Sequence, residues 1–290
     1  MTVIAVTGAG GMLGQAVCRE IPPQRLRLLD WREMTRDSAA AAQFADEQPD
    51  WVINCAAHTD VEGAERDSAA DFRANAALPA RIAELCACAG VGLVHLSSTG
   101  CYGNWKDTPY VESDRAEPTT AHHRNKLAGE DAVRRSGCRH IIVRTGWLYG
   151  GDAKSPKNFV WKRIIEARQK PEMASDASQR GAPTSAVDLA RQVLHLVEIG
   201  AQGLFNATAQ GVATRFDYVA EIVRLARIDC RVVPGPAFAR LANVSSNETA
   251  LNRRLDDEGL NRMRDWQVGL AEYVEDLLAR EEGIGPAWIG

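Results

Sequence analysis

The 290-residue chain has no apolar run near the roughly 18 residues a membrane-spanning helix needs. Surplus positive charge is also missing: 34 basic against 38 acidic residues leave a net −4. That balance argues against a surface built mainly for polyanions. Seven cysteines are scattered, with Cys86 and Cys88 two apart and no C-x-x-C pair. Neither a zinc site nor a disulfide framework is expected from that spacing. Internal repeats and low-complexity tracts are absent, and there are only five tyrosines. Thr2–Thr7 already reads as a strand, which leaves no room for a signal peptide. A cytoplasmic protein is the resulting expectation. What is present is ordinary for a soluble globular chain: 45% hydrophobic and 25% charged residues. The length suits one large domain or two modest ones.

The first half alternates short apolar runs with amphipathic stretches. Val3–Val6, Leu26–Leu29, Trp51–Asn54, Leu93–Leu96 and Ile141–Val143 read as strands. Met12–Glu20 and the alanine-rich Ala69–Ala89 read as helices. Continuous apolar strands separated by helices predict a parallel sheet covered on both faces, hence a doubly wound α/β fold. Gly150–Pro156 is a loop by composition. Beyond it, helical segments near Phe159–Arg168, Ala186–Ile199, Arg215–Arg227 and Val268–Arg280 alternate with short strands. This divides the chain into residues 1–150, binding a dinucleotide, and 151–290, mainly a smaller α/β substrate lobe with part of it returning to the first domain. The charge-dense stretch from Arg253 to Asp265 reads as a solvated helix face.

Thr7-Gly8-Ala9-Gly10-Gly11-Met12-Leu13-Gly14 joins the first strand to the first helix. Gly8, Gly11 and Gly14 stand three apart. The first permits a tight turn, the second admits a pyrophosphate to the backbone, and the third lets helix and strand pack closely. The helix N-terminus then offers free N–H groups to the anion. Asp30 ends the second strand 19 residues after Gly11, near the offset of a carboxylate that grips a ribose 2′-hydroxyl. A dinucleotide site follows. Asp30 repels a 2′-phosphate and leans the choice toward NAD, while Arg32 offsets it, so NAD and NADP both stay open.

Asn54-Cys55-Ala56-Ala57 after the third strand, together with the three-spaced glycines, resembles the extended short-chain dehydrogenase/reductases. Within these, Val52–Glu65, Pro109–Asp114, Lys126–Glu130, Arg144–Tyr149, Asn158–Val160, Gly181–Thr184 and Asp188–Ala190 resemble the dTDP-4-dehydrorhamnose reductases. The resemblance runs in order from residue 3 to about 225. It implies a Rossmann domain with a substrate lobe and nicotinamide-dependent reduction of a keto group. By the same resemblance Gly8, Gly11, Met12, Leu13 and Asp30 would bind the dinucleotide. Ala56, Ala57, Thr59 and Lys126 would line its nicotinamide half, and Ser98, Thr99 and Trp147 the substrate pocket. A small-molecule substrate, a sugar nucleotide or a related compound, is expected, with no nucleic acid and no membrane; a homodimer is also in keeping with the resemblance.

Three departures stand out. The family carries Tyr-x-x-x-Lys on the helix after the fourth strand; here Lys126 is preceded four residues earlier by His122. The fourth strand ends Ser97-Ser98-Thr99-Gly100 in place of Ser-Thr-Asp. An Arg-Pro segment that helps hold the diphosphate is replaced by Ser245–Leu251, which has no arginine and adds Glu248. Ser98, His122 and Lys126 are the catalytic candidates, since imidazole is a competent general acid near neutral pH. Three readings follow: a reductase in which His122, or a substrate hydroxyl or water with Ser98 and Lys126, supplies the proton; a catalytically silent NAD(P)-binding regulator or scaffold; an epimerase or dehydratase with tightly held NAD.

Overall fold

The computed structural model describes residues 1–30, 32, 42, 44, 46–153, 155 and 157–281. In the loop expected at Gly150–Pro156, Lys154 and Pro156 lie outside the described residues, as does 282–290 of the expected second lobe. Five short strands form where the apolar runs predict them: β1 Ile4–Thr7, β2 Leu26–Leu29, β3 Trp51–Asn54, β4 Gly92–Ser98 and β5 His140–Thr145. Residues buried on both faces, such as Ile4-Ala5-Val6-Thr7, favour this central placement. A sixth strand, Gly203–Asn206, pairs in parallel with β5. The order Gly203–Asn206, β5, β4, β3, β1, β2 makes one parallel sheet.

Helices cover both faces. Met12–Glu20 and Ala186–Glu198 bury Leu13, Val17, Leu189, Val193 and Leu196 against Ile4, Val6, Ile53 and Val94. On the other face Leu78–Ala89 and Ala121–Arg135 pack Ile82, Ala83, Leu85 and Val133 against Ala5, Val52, Leu93 and Ile142. The alanine-rich stretch Ala69–Ala89 is helical throughout, with a π-turn over Arg73–Ala77 set between Ser68–Phe72 and Leu78–Ala89. A separate short helix, Val61–Arg66, precedes it. Asp60 and Asp67 cap Val61–Arg66 and Ser68–Phe72 by accepting from Gly63 and Ala69 N–H groups.

Ala121–Arg135 is anchored to the sheet by charge. The buried Glu130 accepts from Arg144 Nε and Nη2 at 2.9 and 2.8 Å and from Ser97 Oγ. Burial would raise the Glu130 carboxyl, but Arg144 draws it below the usual range.

The second half has its own core around Tyr149, Val160, Ile164, Tyr218, Ile222, Trp266 and Leu270. Short strand pairs frame it: Glu172–Asp176 with Arg231–Gly235, Arg180–Gly181 with Ala213–Thr214, and Leu148–Tyr149 with Thr184–Ser185. The charge-dense stretch Arg253–Asp265 is largely the expected solvated face, with Arg253, Asp256, Asp257, Glu258, Arg262 and Asp265 exposed. Leu255 and Met263 are buried in the sheet's core, and the half-buried Arg254 guanidinium lies 4.0 Å from the Phe205 ring centre. Arg264 is bound by Asp188 and Glu272. Arg254 also donates to Leu204 O, which fastens this stretch to the sixth strand.

Candidate active site

Register brings the C-terminal ends of the strands together: Thr7 pairs with Asn54, and Ser98 with Thr145. The loops that follow hold Gly8–Gly14, Cys55–Thr59, Ser98–Thr99 and Gly146–Trp147. In a doubly wound sheet this is the edge where ligands bind.

The glycine turn fits a dinucleotide. Gly8 has φ +67°, and a Cβ there would meet Ala56 N at 2.5 Å, so the turn lies directly on the β3 loop. A Cβ on Gly14 would lie 2.2 Å from Gly8 O, so helix and turn touch through bare backbone. Gly11 is the N-cap of Met12–Glu20; no side chain caps this helix and no acid sits in its first turn. Its first N–H groups are therefore open to an anion. Met12 lies against Gly150 and Gly151, and Leu13 points into the core. Asp30 is exposed after β2, accepts from Arg32 N at 2.9 Å, and stands 3.7 Å from the Arg32 guanidinium. Carboxylate and cation thus stand side by side beyond the end of β2. Asn54 Oδ1 accepts from Thr7 Oγ1 and Ala56 N, which shapes the loop bearing Ala56, Ala57 and Thr59. Thr59 Oγ1 accepts from Lys157 Nζ at 3.0 Å, a contact between the two halves.

Ser98 Oγ accepts from Gly100 N, and the buried Thr99 lies against Gly146. Helix Ala121–Arg135 begins at Thr120, which accepts from His123 N. Spacing of four turns His122 and Lys126 to one buried face. Lys126 Nζ donates to Leu96 O at 3.0 Å, and burial lowers its pKa. The His122 Nδ1 atom lies 2.8 Å from Asp71 Oδ1. Asp71 is wholly buried and also meets His58 Nδ1, Asn75 Nδ2 and Asn125 Nδ2 at 2.9, 2.8 and 2.9 Å. Burial would raise this carboxyl, but hydrogen bonds from His122, Asn125 and His58 hold it well below the usual range. His123 packs edge-on to His122 at 5.1 Å; burial and the His122 and Lys126 charges push it down to about 3, so it stays neutral.

Tyrosine does not fill the vacated role. Tyr102 and Tyr110 stack at 4.9 Å with hydroxyls on Asn206 Oδ1 and Gly103 O; Tyr273 donates to Gly151 O; Tyr149 and Tyr218 are enclosed in the second core.

Trp147 stands two residues beyond Thr145, the partner of Ser98, with φ +49°. Its indole N–H donates to Glu248 Oε2 at 2.6 Å, so it is not free for a ligand. Its ring lies 3.5 Å below the Arg215 guanidinium, and Gly181 abuts it. Burial raises the Glu248 carboxyl, while Arg215 opposes the rise. The added carboxylate thus has a local cation that Ser245–Leu251 itself lacks. A cleft of ≈ 550 Å³ lies between Thr59–Glu62 and Phe238–Leu241, where the halves face each other.

Sequence reasoning named the strand-end residues but missed Asp71, His58, Asn75, Asn125 and Arg215. Asp71 and Asn75 share a helical spacing of four, the one local signal available.

The family model described as the RmlD substrate binding domain matches residues 1–279. A protein of Streptomyces antibioticus named as a probable dTDP-4,6-dihydroxy-2-methyloxan-3-one 4-ketoreductase is 35% identical, covering 95% of this chain and 96% of that one. The crystal structure of a dTDP-4-dehydrorhamnose reductase from Clostridium acetobutylicum superposes with a TM-score of 0.90 at 31% identity, covering 96% and 100% of the two chains. That of a Bacillus anthracis dTDP-4-dehydrorhamnose reductase in complex with NADP gives 0.88 at 26%, covering 94% and 99%. With the doubly wound sheet, the open glycine turn and these relatives together, the chain belongs to the RmlD substrate binding domain family of nicotinamide-dependent sugar-nucleotide reductases.

Proposed function

We propose that the protein reduces the keto group of a dTDP-linked sugar, or a close relative of one, with His122 supplying the proton that tyrosine supplies elsewhere. The observation that carries this reading is the placement of His122 and Lys126 on one buried helix face. Relatives named as dTDP-sugar reductases support the substrate class.

Gly8, Gly11, Met12 and Leu13 would hold the pyrophosphate on open N–H groups, and Asp30 with Arg32 the adenosine ribose. Ala56, Ala57, Thr59 and Lys126 would border the nicotinamide half. When bound, the reduced nicotinamide supplies a hydride to the carbonyl carbon. The chain's own task is to hold the carbonyl and protonate its oxygen. Ser98 can donate its O–H to the carbonyl while its oxygen still accepts from Gly100 N, and His122 can release a proton to the developing alkoxide. Lys126 places a positive charge beneath the site. Thr99 and Trp147 would border the sugar, with Glu248 and Arg215 fixing the indole.

Steady-state oxidation of NADH and NADPH is followed with dTDP-4-dehydrorhamnose as the acceptor. Oxidation that depends on the sugar, and that falls by at least about 10²-fold in His122→Gln, is the expected result. Dinucleotide binding without turnover would favour the silent regulator. A dinucleotide that copurifies and is not consumed would favour the epimerase or dehydratase.

A further inference from the structure

Among the described residues, His122 makes no hydrogen bond through Nε2, whereas its Nδ1 lies on the buried carboxylate of Asp71. Asp71 sits on the short Ser68–Phe72 helix, and the adjoining π-turn places Asn75 beside it. Asn75 Nδ2 donates to Asp71 Oδ1 at 2.8 Å and to His58 O at 3.0 Å; Asn125 Nδ2 donates to Asp71 Oδ2 at 2.9 Å. Four donor groups thus converge on one buried side chain. A carboxylate in that setting is ionised and acts only as an acceptor.

We propose that Asp71 is the positioning residue of the proton-transfer step: it takes the Nδ1–H of His122, so that Nε2 is the atom exchanging a proton with the substrate. This rests on the reductase reading for its catalytic part. The logic is that of a buried carboxylate holding a catalytic imidazole in one tautomer and balancing the charge it carries when doubly protonated. In reduction, the Nε2–H bond breaks as the substrate oxygen gains its proton and the carbonyl carbon gains the hydride. The ring is left neutral with Nδ1–H still on Asp71. Solvent then returns one proton to Nε2. In the reverse direction the bare Nε2 takes the hydroxyl proton. A free imidazole prefers to carry its proton on Nε2, so the opposite tautomer is a signature of Asp71.

His58 shares the same oxygen, with its Nδ1 2.9 Å from Asp71 Oδ1 and a side chain 34% exposed. It closes the carboxylate from the solvent side, so the oxygen has no vacancy for water. The charged or titratable groups facing His122 are Asp71 with His58 behind it, His123 and Lys126 on its own helix, and Glu248 from the second half. Besides Asp71, the Nδ1 atom meets only Asn75 Nδ2, at 3.4 Å, and that amide already donates to Asp71 Oδ1 and His58 O at 2.8 and 3.0 Å.

The test uses the full chain labelled with ¹⁵N, with no dinucleotide added. Long-range ¹H–¹⁵N correlation spectra at pH 8 to 9 report the tautomer of each neutral histidine, and His122→Gln assigns the signal by its loss. His122 is expected as the Nδ1–H form. In Asp71→Asn, which keeps the shape, that preference should be lost, with kcat reduced by about 10²-fold, KM changed less than about threefold, and the NADH dissociation constant unchanged. An Nε2–H tautomer in the wild type overturns the proposal, as does Asp71→Asn that keeps both tautomer and kcat. Asp71→Glu, if Asp71→Asn is unfolded, serves instead: it should restore the Nδ1–H form in part, and a pure Nε2–H form with native turnover overturns the assignment. Absence of turnover in a wild type that shows the Nδ1–H form would sink the reductase reading and leave the tautomer assignment standing.

Discussion

A methyl group on Gly14 would stand 2.2 Å from the Gly8 carbonyl oxygen, one on Gly11 3.3 Å from the same oxygen, and one on Gly10 would meet nothing within 4 Å. Three neighbouring glycines therefore have separable duties. Gly14→Ala is expected to cost about 1–3 kcal/mol by overpacking, lowering the melting temperature whether or not dinucleotide is present. Gly11→Ala should melt near the wild type, yet weaken NADH by at least about tenfold, since it narrows the approach to the backbone. Gly10→Ala should change neither; thermal melts with parallel titrations separate the three. Arg32→Ala, leaving Asp30 alone, should weaken NADPH about tenfold more than NADH, and equal losses would remove Arg32 from the ribose position. The glycines, Asp30, Ser98, His122 and Lys126 could be read from sequence because each lies in a local pattern. Asp71 could not, because its contact with His122 spans 51 residues and the spacing of four to Asn75 points only to a local partner.

The Ala121–Arg135 helix carries the candidate histidine at one end and its anchor at the other. Arg144→Met would strand the buried Glu130 carboxylate with Ser97 and Arg134, and breaking such a pair costs about 3–5 kcal/mol. A denaturant titration reads it directly. Asp71 adds a pH dependence whose sign follows from its lowered pKa. Above about pH 4 the carboxylate is ionised in both folded and unfolded chains, and its stabilisation is complete. As pH falls below about 4 the unfolded chain takes up the proton first, so stability is lost. Asp71→Asn should therefore lose less stability than the wild type between about pH 5 and 3; equal slopes would show that Asp71 is not held ionised.

Element boundaries were legible to different degrees for physical reasons. Leu26–Leu29 and Trp51–Asn54 match the sequence expectation because apolar runs end abruptly at polar residues. The stretch from Ala69 to Ala89 reads as one helix by composition and is helical throughout, but composition does not show the π-turn inside it, where Asn75 lies beside the buried Asp71. Gly203–Asn206 was not singled out: four residues opening with glycine give little periodicity, and pairing with β5 decides their state.

At the scale of the molecule, the two halves are sewn together at several points. Lys157 reaches Thr59, Glu62 accepts from Leu241 and Ala242 N–H groups, and Thr119 donates to Asn243 O. Glu62 and Leu241 face each other across the candidate cleft, and Lys157 holds Thr59 on its wall. Lys157→Ala is expected to leave the fold unchanged, since an exposed hydrogen bond contributes little. It should loosen the cleft, seen as faster amide hydrogen exchange at Asp60–Glu62 and 238–242.

The return of Gly203–Asn206 and Ala186–Glu198 to the sheet has a consequence for how the protein is made. At roughly 5–20 residues per second, about 3–12 s separate synthesis of the sixth strand from that of Met263, which completes the same core. Earlier still, before Ala186–Glu198 is made, the nascent sheet shows bare apolar surface along Val94, Leu96, Ile141 and Val143, which that helix and its neighbours cover in the finished fold. A ribosome that stalls near residue 150 would release a chain with every strand-end motif for the dinucleotide and an uncovered face, a client for chaperones rather than a working half-enzyme.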